Sequence, residues 1–274
     1  MTIASTTLGA RKPGGAGSSA EPAHGGAADL AAFVLSLGWI LAVLVLDRGT
    51  GSWGQAALGV GTWVVLGLLL VRESALVRAQ VAVVIVFATF IEYTFAAGLG
   101  VYEYRLGGVF GVPSFVPPGH GIVYLAALTF GRLAWVRRRE LWLVIATVVV
   151  GGMWALWGLF VADRPDVLGA FWYLCLLGFL AFGRRRTLYI GAFVAVSYLE
   201  IIGTELGTWT WQEHDPTGLI SIGNPPSGAA GGYGWFDLAA IAAAPSLLAF
   251  QRRAAARRRQ RRSPAPLLRY PGNP

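Results

Sequence analysis

Charged residues are scarce in this chain. They make up 13% of its 274 residues, about half the share found in a water-soluble domain. Cysteine is almost absent. Cys175 stands alone, which excludes an intrachain disulfide and a multi-cysteine metal site. Three histidines occur, with no His-x-x-x-His or Glu-x-x-His spacing, so no metal site is expected. There is no phosphate-binding loop, dinucleotide fingerprint or serine-hydrolase elbow. Nothing in the sequence implies a cofactor.

What is present is apolar. Hydrophobic residues make up 55% of the chain, and the mean hydropathy is +0.58. Several uncharged runs reach the roughly 20 residues that span a bilayer. The fold class expected is all-α: a polytopic membrane protein of the cell membrane. Eight helices are predicted, near 30–46, 54–71, 79–99, 118–136, 141–162, 167–183, 187–206 and 230–250. The fourth is interrupted by Arg132, a residue long enough to snorkel to an interface.

Charge placement orients these spans. With the N-terminus in the cytoplasm, all but three of the 22 basic residues fall on the inner side. The exceptions are Arg48, Arg105 and Arg164. Positive charge therefore marks the inside at every hairpin, and both termini are expected in the cytoplasm. Residues 1–28 are rich in Gly, Ala, Ser and Pro and read as a disordered tail rather than a signal peptide. Residues 251–274 are basic and also read as a disordered tail, resting on anionic lipid. No aromatic–basic interleaving points to nucleic acid.

Two stretches resemble each other. Phe90-Ile91-Glu92 matches Tyr198-Leu199-Glu200, 108 residues later. Gly100 precedes Tyr102-Glu103-Tyr104, as Gly207 precedes Trp209-Thr210-Trp211, and Pro117-Pro118 matches Pro225-Pro226. The chain reads as a four-helix unit used twice, over 29–136 and 137–250. An even number of spans gives both copies the same orientation, a parallel repeat.

The glutamates are the chemical candidates. Glu92 and Glu200 lie roughly 20 Å along their helices at about 1.5 Å per residue, in the outer half of the bilayer. Asp237 lies roughly 10 Å into the last helix by the same rise, so it is expected at the depth of Glu200, with Thr129 at the matching position of the first copy. His120 sits at the mouth of the fourth helix. Acids facing lipid are expensive, so these should face the bundle interior. An apolar interior favours the neutral acid, which donates a proton. The alternative is structural: hydrogen bonds from a Trp indole or a Tyr hydroxyl. Tyr102, Tyr104, Trp209 and Trp211 read either as an interfacial belt or as pocket walls facing a developing cation. Asn224 is placed to orient water or a polar substrate group. His214 and Asp215 read as solvated.

The stretch "EYTFAAGLGVYEYRLGGVFGVP", residues 92–113, resembles part of the carotenoid-biosynthesis membrane protein family that includes the carotenoid hydratases. The resemblance rests on a membrane Glu, then Gly-x-Gly-x-Tyr-x-Tyr, Leu-Gly and Gly-Val-Pro. It implies water addition or related acid–base chemistry on an isoprenoid double bond. The residues it carries over are Glu92, Tyr102 and Tyr104. Three functions stay open at this level: an enzyme on an isoprenoid or other membrane lipid, a proton-coupled transporter, and a non-catalytic scaffold of envelope assembly.

Overall fold

A computed structural model describes residues 25–262. Eight long helices form close to the expected positions: α1 (Ala27–Asp47), α2 (Ser52–Leu70), α3 (Ala75–Glu92), α4 (Val116–Arg132), α6 (Glu140–Phe160), α7 (Val167–Phe182), α8 (Arg186–Glu205) and α9 (Ala230–Arg262). A short α5 (Ala134–Arg138) intervenes. Six of the helices are long and apolar enough to cross a membrane: α1, α2, α3 with its extension, α6, α8 and α9. α4 and α7, of 17 and 16 residues, are shorter. This is the architecture of a multi-pass membrane protein, and its apolar side chains face outward, as at Val64 and Leu68 of α2 and Met153 of α6.

Several boundaries differ from expectation. α1 begins at Ala27, inside the stretch read as a tail. α9 continues to Arg262, where a disordered basic tail was expected. Beyond Phe250 its Ala, Arg and Gln are strong helix formers, and no Gly or Pro interrupts them before Arg262. The remaining tail expectations, over 1–24 and 263–274, lie outside the described residues. The fourth helix stops at Arg132 because Leu133 leaves helical geometry. Arg132 does not snorkel. Both its terminal nitrogens bind the Glu73 carboxylate, at 2.7 and 2.9 Å, and Asp29 lies 3.6 Å away.

Four helices form an inner ring. α4 packs on α8 and on α3, and α9 packs on α3 and on α8. Glycines permit the closest of these approaches: a Cβ on Gly191 of α8 would sit 2.4 Å from the Ala127 carbonyl oxygen of α4. α4 is buried almost completely, from Ile122 to Ala127. Outside the ring, α1 and α2 lie against α4, while α6 packs on α8 and α7 on α9.

The all-α expectation needs one addition. Two three-residue strands, β1 (Tyr102–Tyr104) and β2 (Trp209–Trp211), pair antiparallel over one end of the ring. Tyr102 pairs with Trp211, Glu103 with Thr210 and Tyr104 with Trp209. The flanking bonds are reciprocal: Arg105 N–H donates to Thr208 C=O, and Gln212 N–H to Val101 C=O, both at 2.9 Å. Each strand follows a glycine in the left-handed region, Gly100 at φ 61° and Gly207 at φ 68°, a turn that side-chain-bearing residues resist. The outer edge of β2 is also satisfied. Trp211 N–H donates to Asn224 Oδ1, and the Trp211 carbonyl accepts from Arg164.

Candidate active site

In a strand, residues two apart share a face. Tyr102, Tyr104, Trp209 and Trp211 therefore all point from the cap into the ring. Their rings touch, with centroids 4.5 Å apart for Tyr102–Trp211 and 6.2 Å for Tyr104–Trp209. Together they roof a cavity of about 420 Å³, within the range of small-molecule sites.

Beneath the roof stand the two glutamates. Glu92 ends α3, just before a π-helical turn over Tyr93–Gly98, a distortion that often accompanies function. Its Oε2 accepts from Tyr102 and Tyr104 hydroxyls at 2.8 and 2.7 Å. Its Oε1 meets His120 Nε2 at 2.8 Å. His120 Nδ1 in turn meets the Tyr233 hydroxyl at 2.9 Å. His120 thus links the Glu92 carboxyl to the Tyr233 hydroxyl. The two cap tyrosines keep their protons: burial pushes both phenols well above the ordinary value, and the adjacent Glu92 adds to it.

Glu200, in α8, is held in the same style by the other half of the cap. Its Oε2 accepts from the Trp209 and Trp211 indoles, each at 3.1 Å. Among the described residues no hydrogen bond reaches its Oε1, and Glu200 lines the cavity. The structural alternative foreseen from the sequence, indole and hydroxyl donors, is thus realised at both acids. It leaves one carboxylate oxygen facing the cavity.

Other expectations change. Asp237 does not share the depth of Glu200 and does not line the cavity. It is fully buried and bound by the Tyr124 and Tyr189 hydroxyls and by Arg185, at 3.1–3.2 Å. Arg185 and Tyr189 mark the start of α8, whereas Glu200 lies near its far end. Tyr124, rather than Thr129, reaches Asp237 from α4. Thr129 bonds instead to the Leu125 carbonyl. Asn224 is not in the cavity either, since its side chain caps β2. His214 and Asp215 lie in an exposed loop. There the Thr217 hydroxyl and backbone N–H groups hold the Asp215 carboxyl below the usual range.

No family model, curated protein or solved structure matches the chain.

Sequence reasoning missed Tyr233, which reaches His120, and Asp166. Asp166 is buried and accepts backbone N–H bonds from Gly169, Gly223 and Ser227. A helix-start signal at Asp166 was readable, since its side chain caps α7. Its second task, pinning the loop before α9, depends on chain packing alone. Among the described residues no group of three or more His, Cys, Asp or Glu is arranged to hold a metal.

Proposed function

We propose that this protein is an integral-membrane enzyme performing acid–base chemistry on an apolar, isoprenoid-type double bond. The observation that carries the reading is the pair Glu92 and Glu200: two carboxyls gripped by aromatic donors and facing one mainly apolar cavity. A carboxyl in such surroundings works as a proton donor or acceptor with little competition from water.

The two environments divide the roles. Glu200 accepts two bonds on one oxygen and presents the other to the cavity, which suits an acid. Glu92 accepts three bonds and is backed by His120 and Tyr233, which suits a base. In a hydration, the Glu200 O–H bond breaks and its proton joins one alkene carbon. The electron pair of the double bond forms the new C–H bond. The adjacent cationic carbon lies under the aromatic roof, whose ring faces attract positive charge. Water adds there, and its surplus proton passes to Glu92. Transfer of that proton back to Glu200 restores the site. The same acids support isomerisation or cyclisation when no water enters.

The chain would act as eight spans in two parallel four-helix units. In support, the cap register and the bonds flanking it are reciprocal, and each Glu is held by the aromatic pair of its own half. Both termini would be cytoplasmic, with the arginines of α9 on anionic lipid. The test is expression in an isoprenoid-producing host, with membrane lipids resolved by mass. Wild type should produce a new lipid species. Glu200→Gln should reduce it by about 10²-fold or more, the scale for losing a positioned acid. Normal turnover by Glu200→Gln would end this assignment. A wild type that alters no lipid would favour the scaffold or transporter readings.

A further inference from the structure

The cavity is sealed on one flank and open on the other. On the α1–α2 side most of its lining is buried: Ile40, Val43 and Leu44 of α1, and Thr62 of α2, with Trp39 partly exposed. The Trp39 indole donates to the Thr62 hydroxyl at 3.1 Å and ties these helices together. On the α9 side the lining includes Phe171 of α7 and Trp235 of α9, which are 53% and 47% exposed. These two residues bring the cavity wall to the apolar outer surface. The asymmetry has a cause in packing. α1 lies against both α4 and α8 and closes its flank, while α6, its counterpart in the repeat, packs on α7 and α8.

A second observation falls at the same place. Gly231 and Gly234 of α9 are needed for contact with α7: a Cβ on Gly231 would lie 1.9 Å from the Trp172 carbonyl oxygen, and one on Gly234 would lie 2.1 Å from the Phe179 ring. Gly232 lines the cavity, and a Cβ there would meet nothing within 4 Å. Glycine inside a helix is destabilising relative to alanine. Packing therefore gives no reason for Gly232, but an unobstructed passage over α9 does.

We propose that the site takes a linear apolar chain from the lipid phase, entering over Gly232 between α3 and α7. Ile91 of α3 and Phe95 of the π-helical turn that follows it line one side of this entry, and Leu168 and Phe171 of α7 line the other. The leading end reaches Glu92 and Glu200, and the remainder stays in the bilayer. The side chains named at this entry are apolar and give a headgroup no partner. The substrate end that enters is thus uncharged. The inference rests on the proposed enzyme only in treating the glutamates as the reactive end.

The test needs no turnover. Full-length protein in phosphatidylcholine vesicles is illuminated with a long-chain alkyl diazirine, which inserts readily at carboxyl groups, and labelled peptides are mapped by mass. Wild type and Gly232→Ala should carry label at Glu200 or Glu92, and at lipid-facing Leu174. Gly232→Phe, whose ring has room to fill the mouth, should lose the glutamate label and keep that at Leu174. Label at Leu174 but at neither glutamate in wild type would overturn the proposal. So would undiminished glutamate label in Gly232→Phe. A labelled cavity in a protein whose Glu200→Gln variant retains turnover would remove the acid assignment and leave the entry route standing.

Discussion

Tyr102 faces Trp211 across the two-strand cap with ring centroids 4.5 Å apart, yet the two side chains serve different acids. Tyr102 donates to Glu92, and Trp211 donates to Glu200. The cap thus joins two carboxyls that belong to different halves of the chain. Disturbing either strand disturbs both acids at once.

Tyr102→Phe and Tyr104→Phe keep the rings and remove the two donors that share Glu92 Oε2. Each should lower stability by about 1.5–3 kcal/mol, the scale of a hydrogen bond to a charged group. Because the donors share one acceptor oxygen, the double variant should depart from additivity by at least about 0.5 kcal/mol. Thermal unfolding in detergent measures this. Strict additivity would mean that the two hydroxyls do not act on a common carboxylate.

The same tyrosines set an alkaline limit. Their phenols are raised in the folded protein, so the fold holds their protons more tightly than the unfolded chain does. That contribution is complete below the ordinary tyrosine value of about 10 and is lost as pH rises through the folded values. Stability should therefore fall above about pH 10, and less steeply in the Tyr102→Phe, Tyr104→Phe double variant. Parallel slopes for wild type and double variant would refute the assignment.

Asp237→Asn separates structure from chemistry. Asp237 is buried with Tyr124, Tyr189 and Arg185 and lies outside the cavity. The Arg185 side chain is 34% exposed, so the loss should be about 1.5–3 kcal/mol, the scale of a hydrogen bond to a charged group, rather than that of a fully buried pair. Lipid turnover per folded molecule should match wild type. A loss as large as that of Glu200→Gln would return Asp237 to the reaction.

Reporter fusions test the spans. Ser114 and Thr217 should report outside, and Arg138, Arg185 and Arg257 inside. An inside signal at Thr217 would place the two halves of the cap on opposite sides of the membrane and would rule out the eight-span arrangement.

Much of this was readable along the chain. Apolar runs of spanning length set the helices, because a bilayer demands long uncharged segments whatever the fold. Glu92 and Glu200 stood out for the same reason: an acid in such a run needs an interior partner. Their aromatic pairs followed 10 and 12 residues after Glu92 and 9 and 11 residues after Glu200, so the donors to each acid were legible as local neighbours. Tertiary packing decided the rest. Whether Tyr102 meets Trp211, and whether His120 reaches both Glu92 and Tyr233, depends on how two distant halves dock. The 108-residue offset also paired Asp237 with Thr129, whereas the structure brings Tyr124 to it. His120 meets Tyr233, and Tyr124 meets Asp237, each across 113 residues, not the 108 that separate the glutamates. Loop length between β2 and α9 sets that difference, and a loop leaves no periodic signal. The sealed and open flanks of the cavity were likewise invisible. α1 and α6 are both apolar spanning helices. Which inner helices each one covers is fixed by side-chain fit around the ring, since apolar surface alone does not choose between lipid and protein.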